Sequence, residues 1–372
     1  MNGLVLRQRV RVVGWSAVTA VAVIVAVVVA VLAPGYPAAS VHQLLGQTWL
    51  VSSAVGQITL VDGSTGDVAA RVPVARASGD LVVAQSDADA LVANRSSGLV
   101  TRVLGATQSR QQGAVRPLPG AARGLSVYAG TASAYVVDAV QGTAAVLDPQ
   151  RLSVRGRVLS MAAALDRVSV TVDRADRLWA VDTRTGDLLR VSAAGKLVVP
   201  GVTSPGVSPV VLAAGRPVVV DPRQRTVNVV EPSTGRVASR GVLDLVPGER
   251  VSVGGSATSG LVFAAVDARG LLLVHDPGCP TCARVVQLGA GTARFGAPVE
   301  TGGRVFVPDF RTGRVYVIDL SRDRLIASRQ VLPPGLPTFD LLTRDGAVFY
   351  NDPRSERAGI IRFDGSVLPV RK

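Results

Sequence analysis

From Val12 to Ala33 the chain is apolar and uncharged, VVGWSAVTAVAVIVAVVVAVLA; beyond it the pattern breaks into short apolar bursts, each closing on a polar residue. The bursts come in pairs. An apolar stretch ends in Asp or Asn, a turn carrying Gly follows, and a second apolar stretch ends in Asp or Glu. The clearest copies are RVFVPDFRTGRVYVIDL from Arg304, RLWAVDTRTGDLLRVS from Arg177, SAYVVDAVQGTAAVLD from Ser133 and RPVVVDPRQRTVNVVE from Arg216. Weaker copies bring the total to eight, with turn positions at Gly56, Gly98, Gly142, Gly186, Arg225, Gly270, Gly313 and Ala358, about 43 residues apart. That interval matches repeat blades of roughly 40–50 residues.

Each interval holds two further strand-like runs. A short alternating run precedes the pair, as in DLVVAQ at Asp80, GLSVYAG at Gly124, RVSVTVD at Arg167, RVSVGG at Arg250 and TFDLLT at Thr338. An outer run follows it, as in VAARVPV at Val68, RVASRGVL at Arg236 and RLIASRQVL at Arg324. Strands this closely spaced leave no room for the helical crossovers of a parallel sheet. Four-stranded antiparallel units repeated around an axis keep only short, protected edges. The expected fold is therefore all-β, a β-propeller of four-stranded blades over residues 41–372, with eight blades favoured and seven possible. Val41–Leu45 is the candidate innermost strand of the first blade, and Ser366–Val370 the outermost of the last.

The uncharged run at 12–33 is long enough, at 1.5 Å per residue, to cross roughly 30 Å of hydrocarbon. Arg7, Arg9 and Arg11 stand just before it, so residues 1–11 are expected in the cytoplasm and everything after the span on the far side. A cleaved signal peptide is the competing reading. Its apolar region is normally about 7–15 residues, and Pro37 is a poor residue at a cleavage site after Ala39. The expectation is a plasma-membrane signal-anchor, a short linker at 34–40 and an extracytoplasmic propeller.

Composition supports strands. Hydrophobic residues make up 48% of the chain and aromatics 4%, so Val, Leu and Ala must build the core. The net charge of +13 is almost entirely arginine, Lys196 and Lys372 being the only lysines. On the far side of a membrane such charge fits an anionic envelope polymer or a protein partner better than nucleic acid.

The copies at Arg304 and Ser133 resemble the YVTN-type repeat, in which Tyr/Phe-Val-x-Asp/Asn, a Gly turn and Val-x-Val-Ile-Asp recur along a β-propeller. The layout of basic N-terminus, single span and Arg/Ala/Val-rich propeller is similar to the N-terminal part of large envelope proteins of high-GC bacteria. In those, the resemblance implies, fibronectin type III modules follow. Here the chain as given stops at Lys372.

Candidate chemistry is sparse. His275-Asp-Pro-Gly-Cys-Pro-Thr-Cys282 contains both cysteines, and in an oxidising compartment Cys279 and Cys282 are expected to form a structural disulfide. A reactive dithiol would want a helix N-terminus. His275, Asp276, Cys279 and Cys282 have the ligand types for a metal, but a second Cys/His pair is missing. The acids ending the second strands, Asp138, Asp182, Asp221, Asp309 and Asp352, would share one rim; Asp before a turn commonly bonds its own backbone two residues on, which competes with a cation-binding reading. His42 and His275 are the only histidines, and neither is placed to serve a Ser-His-Asp triad. No phosphate-binding glycine motif stands between a strand and a helix. No catalytic residue, cofactor or resident metal is assigned. The functional expectation is a non-catalytic binding scaffold in the cell envelope, the alternatives being a lactonase-like or quinoprotein-like propeller enzyme and a structural spacer.

Overall fold

The computed structural model describes residues 46–161, 164–279, 282–289, 291–335 and 338–372. The proposed span and linker, and the candidate strand Val41–Leu45, lie outside these residues. Among the described residues, no helix is long and apolar enough to cross a membrane.

Among the described residues, thirty-one strands make eight antiparallel sheets. Seven of these have four strands in chain order, and one, built from Gln47–Ser52, Gln57–Asp62 and Val68–Pro73, has three among the described residues. We number them blades 1 to 8. Blade 2 starts at Leu81–Ser86, blade 3 at Leu125–Ala129, blade 4 at Val170–Val172, blade 5 at Val210–Ala213, blade 6 at Val251–Gly255, blade 7 at Val299–Thr301 and blade 8 at Asp340–Arg344. The count of eight settles the choice between seven and eight.

The second and third strands of each blade read as nearly unbroken apolar runs because they are covered on both faces by the neighbouring blades. Val262–Val266 and Leu271–His275 of blade 6 are buried throughout. The buried residues fall into eight apolar clusters, one at each interface between successive blades, including a cluster of Leu50, Val61, Phe349, Ile360 and Val370 between blades 8 and 1. That last cluster closes the ring.

The seam between blades 8 and 1 is also hydrogen-bonded. Ser53 N–H donates to Pro353 O at 2.8 Å, Ser52 Oγ to Ser355 O at 2.6 Å and Arg71 Nη2 to Arg371 O at 2.9 Å. The buried ammonium of Lys372 donates to Val51 O at 2.6 Å, Asn351 Oδ1 at 2.5 Å and Asp352 O at 2.8 Å, and burial lowers its pKa to about 7. On its inner edge the first strand of blade 1 is held by Gln85 of blade 2, which accepts from Trp49 N–H at 3.1 Å and donates to Gln47 O at 3.2 Å.

Turn chemistry follows the repeat. At Gly186, φ is 77° and a Cβ would strike the carbonyl of Thr203. Only glycine fits there without strain. Blade 5 puts Arg225 at the same turn position with φ of 58°. Blade 8 corrects the sequence alignment: Ala358 lies on the strand Arg357–Ile361, and the turn is made by residues 352–356. The alignment failed because that turn has no glycine to mark it.

Candidate functional site

The turns between second and third strands and the links between successive blades share one face of the ring. The five rim acids all lie on it, and all are buried: Asp138 is 1% exposed, Asp182 5%, Asp221 1%, Asp309 1% and Asp352 4%. Each carboxylate accepts hydrogen bonds from its own turn, as Asp221 does from the Arg223 N–H at 2.9 Å and the Gln224 N–H at 3.0 Å. Three of them also hold the incoming link. Ser204 N–H reaches Asp221 at 2.6 Å, Ala164 N–H reaches Asp182 at 3.1 Å and Arg294 N–H reaches Asp309 at 3.2 Å. Their oxygens are turned into the backbone, away from the channel. Of the neighbouring arginines, Arg184 pairs with Asp182 at 3.6 Å, whereas Arg311 reaches across to Thr292 O at 2.5 Å.

The cysteine motif is the turn between the third and fourth strands of blade 6, on the opposite face. Cys279 and Cys282 form a disulfide with Cα atoms 5.3 Å apart, and the Cys282 N–H donates to Cys279 O at 2.9 Å. Asp276 accepts from the Gly278 N–H at 2.8 Å. His275 points instead into the interface with blade 5, 1% exposed, where its ring leaves no room for a Cβ at Gly241. Neither ring nitrogen has a hydrogen-bond partner among the described residues, and burial lowers the pKa of the imidazole. The four motif residues are therefore not brought around a common point. Among the described residues no three His, Cys, Asp or Glu side chains are grouped to hold a metal ion.

A wide concavity lies elsewhere, at the mouth of the central channel on the rim face. It encloses about 750 Å³ and is walled by residues from blades 1, 2, 7 and 8 together with Arg167, which precedes the first strand of blade 4. Phe310 and Phe339 form an edge-to-face pair in its wall, with centroids 5.3 Å apart. Its charged groups are Asp80, Arg95, Arg167, Asp340 and Arg354. Pockets of this volume are the ordinary size for small-molecule sites.

Arg95 is anchored. Its side chain is 12% exposed; Nε donates to Leu125 O at 2.7 Å, Nη2 to Ser126 Oγ at 3.3 Å, and Asp80 lies 3.7 Å away. Burial lowers its pKa, and the like charge of Arg167 adds to the effect. Arg167 is exposed to the channel and makes no side-chain hydrogen bond or ion pair with any described residue. Its charge is felt across the channel, where it is the main influence opposing the raised pKa of Asp340. Asp340 keeps solvent-accessible surface, yet the protein around it displaces enough water to push its carboxyl up. Like-charged guanidiniums and a destabilised carboxylate thus share one wet cavity.

These residues were not candidates in the sequence, although a signal was present. Directly after the rim acid, or after Ser52 in blade 1, the other blades carry Ser53, Ala139, Thr183, Pro222, Ala268, Phe310 and Pro353, whereas blade 2 places Arg95 after Asn94. Arg167 and Asp340 likewise stand at the start of first-strand runs. The departures from the repeat, rather than its acids, converge on the mouth.

By its sheets and its closure the chain is an eight-bladed β-propeller. No protein-family model matches it, and no curated protein matches it in sequence. Solved structures do resemble it. Apo AztD from Citrobacter koseri superposes with a TM-score of 0.63 at 10% identity, over 87% of this chain and 94% of that one. The dihydro-heme d1 dehydrogenase NirN in complex with DHE gives 0.62 at 15% identity, over 91% of this chain and 76% of that one. Streptogramin B lyase gives 0.52 at 13% identity, over 70% and 86%. At such identities the likeness is one of fold, and the fold hosts both enzymes and other proteins.

Proposed function

We propose that this protein is a membrane-anchored, extracytoplasmic propeller that works as a binding scaffold in the cell envelope, receiving its ligand at the channel mouth. The observation that carries the reading is the mouth itself: a cavity of about 750 Å³ with charged groups from several blades, on a face whose repeated acids are consumed by the scaffold. Among the described residues, no His, Cys or Lys lines it. The test uses Ala54→Trp, a change at an exposed mouth residue that fills the cavity without entering the core. Thermal-shift and calorimetric titrations with envelope polymers and small metabolites should register binding to the wild type and not to Ala54→Trp. Binding that is indifferent to the plug would remove the mouth from the reading. The anchor is tested separately: protease added to intact cells should digest the propeller and spare residues 1–11.

A second reading, a propeller enzyme, is favoured by one observation, the raised pKa of Asp340 in a cavity with three arginines. A carboxyl so placed is suited to proton transfer. Turnover of a sugar lactone by the wild type, lost in Asp340→Asn, would replace the scaffold reading with this one.

A further inference from the structure

We propose that the channel mouth recognises an oxyanion, a carboxylate or phosphate carried on a small polar molecule or polymer end, gripped between the guanidiniums of Arg95 and Arg167. The inference rests on the reading that the mouth is the binding site and names what it binds.

Three features of the cavity carry it. First, the two arginines come from blades 2 and 4 and face the same solvent-filled space, where each is subject to the other's like charge as well as to the opposing charges of Asp80 and Asp340. An anion between them relieves that repulsion, which is the differential interaction that makes binding favourable. Second, the two are differently prepared. Arg95 is fixed by Leu125 O and Ser126 Oγ, so its orientation costs little entropy at binding, while Arg167 has no side-chain hydrogen-bond or ion-pair partner among the described residues. A fixed and a free guanidinium make a clamp that can close on a planar or tetrahedral oxyanion. Third, the same cavity is lined by Phe310 packed on Phe339, and by Asn351 and Asp340. An apolar ring face next to an amide and a carboxyl suits a hydroxyl-bearing carbon skeleton such as a sugar. Asp340 also sets a limit. As a carboxylate it repels a second negative charge nearby, so among small ligands those with one anionic group, at the arginine end, should outrank those with two.

Isothermal titration with galacturonate, glucose 6-phosphate, neutral galactose and polygalacturonate tests this on the full propeller. Galacturonate or glucose 6-phosphate should bind, with affinity falling as salt rises, and galactose should not. Arg167→Gln should weaken that binding about tenfold or more while leaving the melting temperature in place, because the side chain makes no contact whose loss would unfold the ring. Arg324→Gln, on an outer strand of blade 7, should change nothing. Polygalacturonate binding tighter than its monomer, still lost in Arg167→Gln, identifies a polymer end as the source of the anion; equal affinities identify a free metabolite. If the anions bind equally well to wild type and Arg167→Gln, the inference fails. If galactose binds as well as galacturonate and Ala54→Trp abolishes both, the oxyanion inference fails while the mouth remains the binding site. If Ala54→Trp abolishes nothing, both fall.

Discussion

The rim of the propeller and its channel mouth share one face, yet they treat charge in opposite ways. On the rim, Asp138, Asp182, Asp221, Asp309 and Asp352 repeat from blade to blade and each is consumed by backbone N–H groups. In the mouth, Arg167 and Asp340 face water with few or no partners among the described residues; the sequence counterpart of Arg167 in blade 6, Arg250, is instead paired with Asp267 at 3.4 Å. A repeated polar residue here is scaffold, because every blade has the same turn to satisfy. One left without such partners is free to serve the site.

Substitutions can break or sharpen this contrast. The largest effect is expected at the rim, where Asp221→Ala strands the N–H groups of Ser204, Arg223 and Gln224 and should cost about 3 kcal/mol, read as a fall in the urea midpoint. A cost below about 1 kcal/mol would mean that the rim acids are not structural. Next comes the double change Cys279→Ser, Cys282→Ser. A loop this short restricts the unfolded chain only modestly, so about 2 kcal/mol is the ceiling and no ligand affinity should change.

His275 is an unrepeated residue that leads inward instead of to the mouth, standing just before the strand-end acid Asp276, where blades 1, 3, 5 and 7 have Val61, Leu147, Val230 and Ile318. Burial holds its folded pKa below the unfolded value, so the unfolded chain takes up the proton first. Stability is then complete above about pH 6.5 and is lost as pH falls below it. His275→Leu should gain about 1 kcal/mol at neutral pH by removing unsatisfied nitrogens, and its advantage should widen at pH 5 in paired denaturation curves. The smallest effect is at Arg167: Arg167→Gln should leave the urea midpoint within about 0.5 kcal/mol. A larger loss would make it scaffold after all.

The same contrast explains what could be read from residues alone. The blades were legible because strand pairs buried on both faces must be apolar, and because Asp and Gly mark the turns every 43 residues or so. The disulfide was legible because Cys279 and Cys282 are close in the chain. The mouth was not. Arg95, Arg167 and Asp340 are far apart in sequence and meet only because the ring closes, so no local spacing announces them. His275 shows the converse failure: a motif that looked like a ligand cluster contributes its histidine to an interblade interface instead.

The seam between blades 8 and 1 has a bearing on time rather than on energy. Within each blade every strand pair is drawn from neighbouring stretches of chain, so the sheets can form early and in any order. The contacts of Ser52 with Ser355, Arg71 with Arg371 and Val51 with Lys372 span some three hundred residues and can form only once those sheets exist. Closure is therefore the kinetic bottleneck of assembly. The seam is also where the finished ring should breathe first, with its amides leading those of blades 4 and 5 in hydrogen exchange.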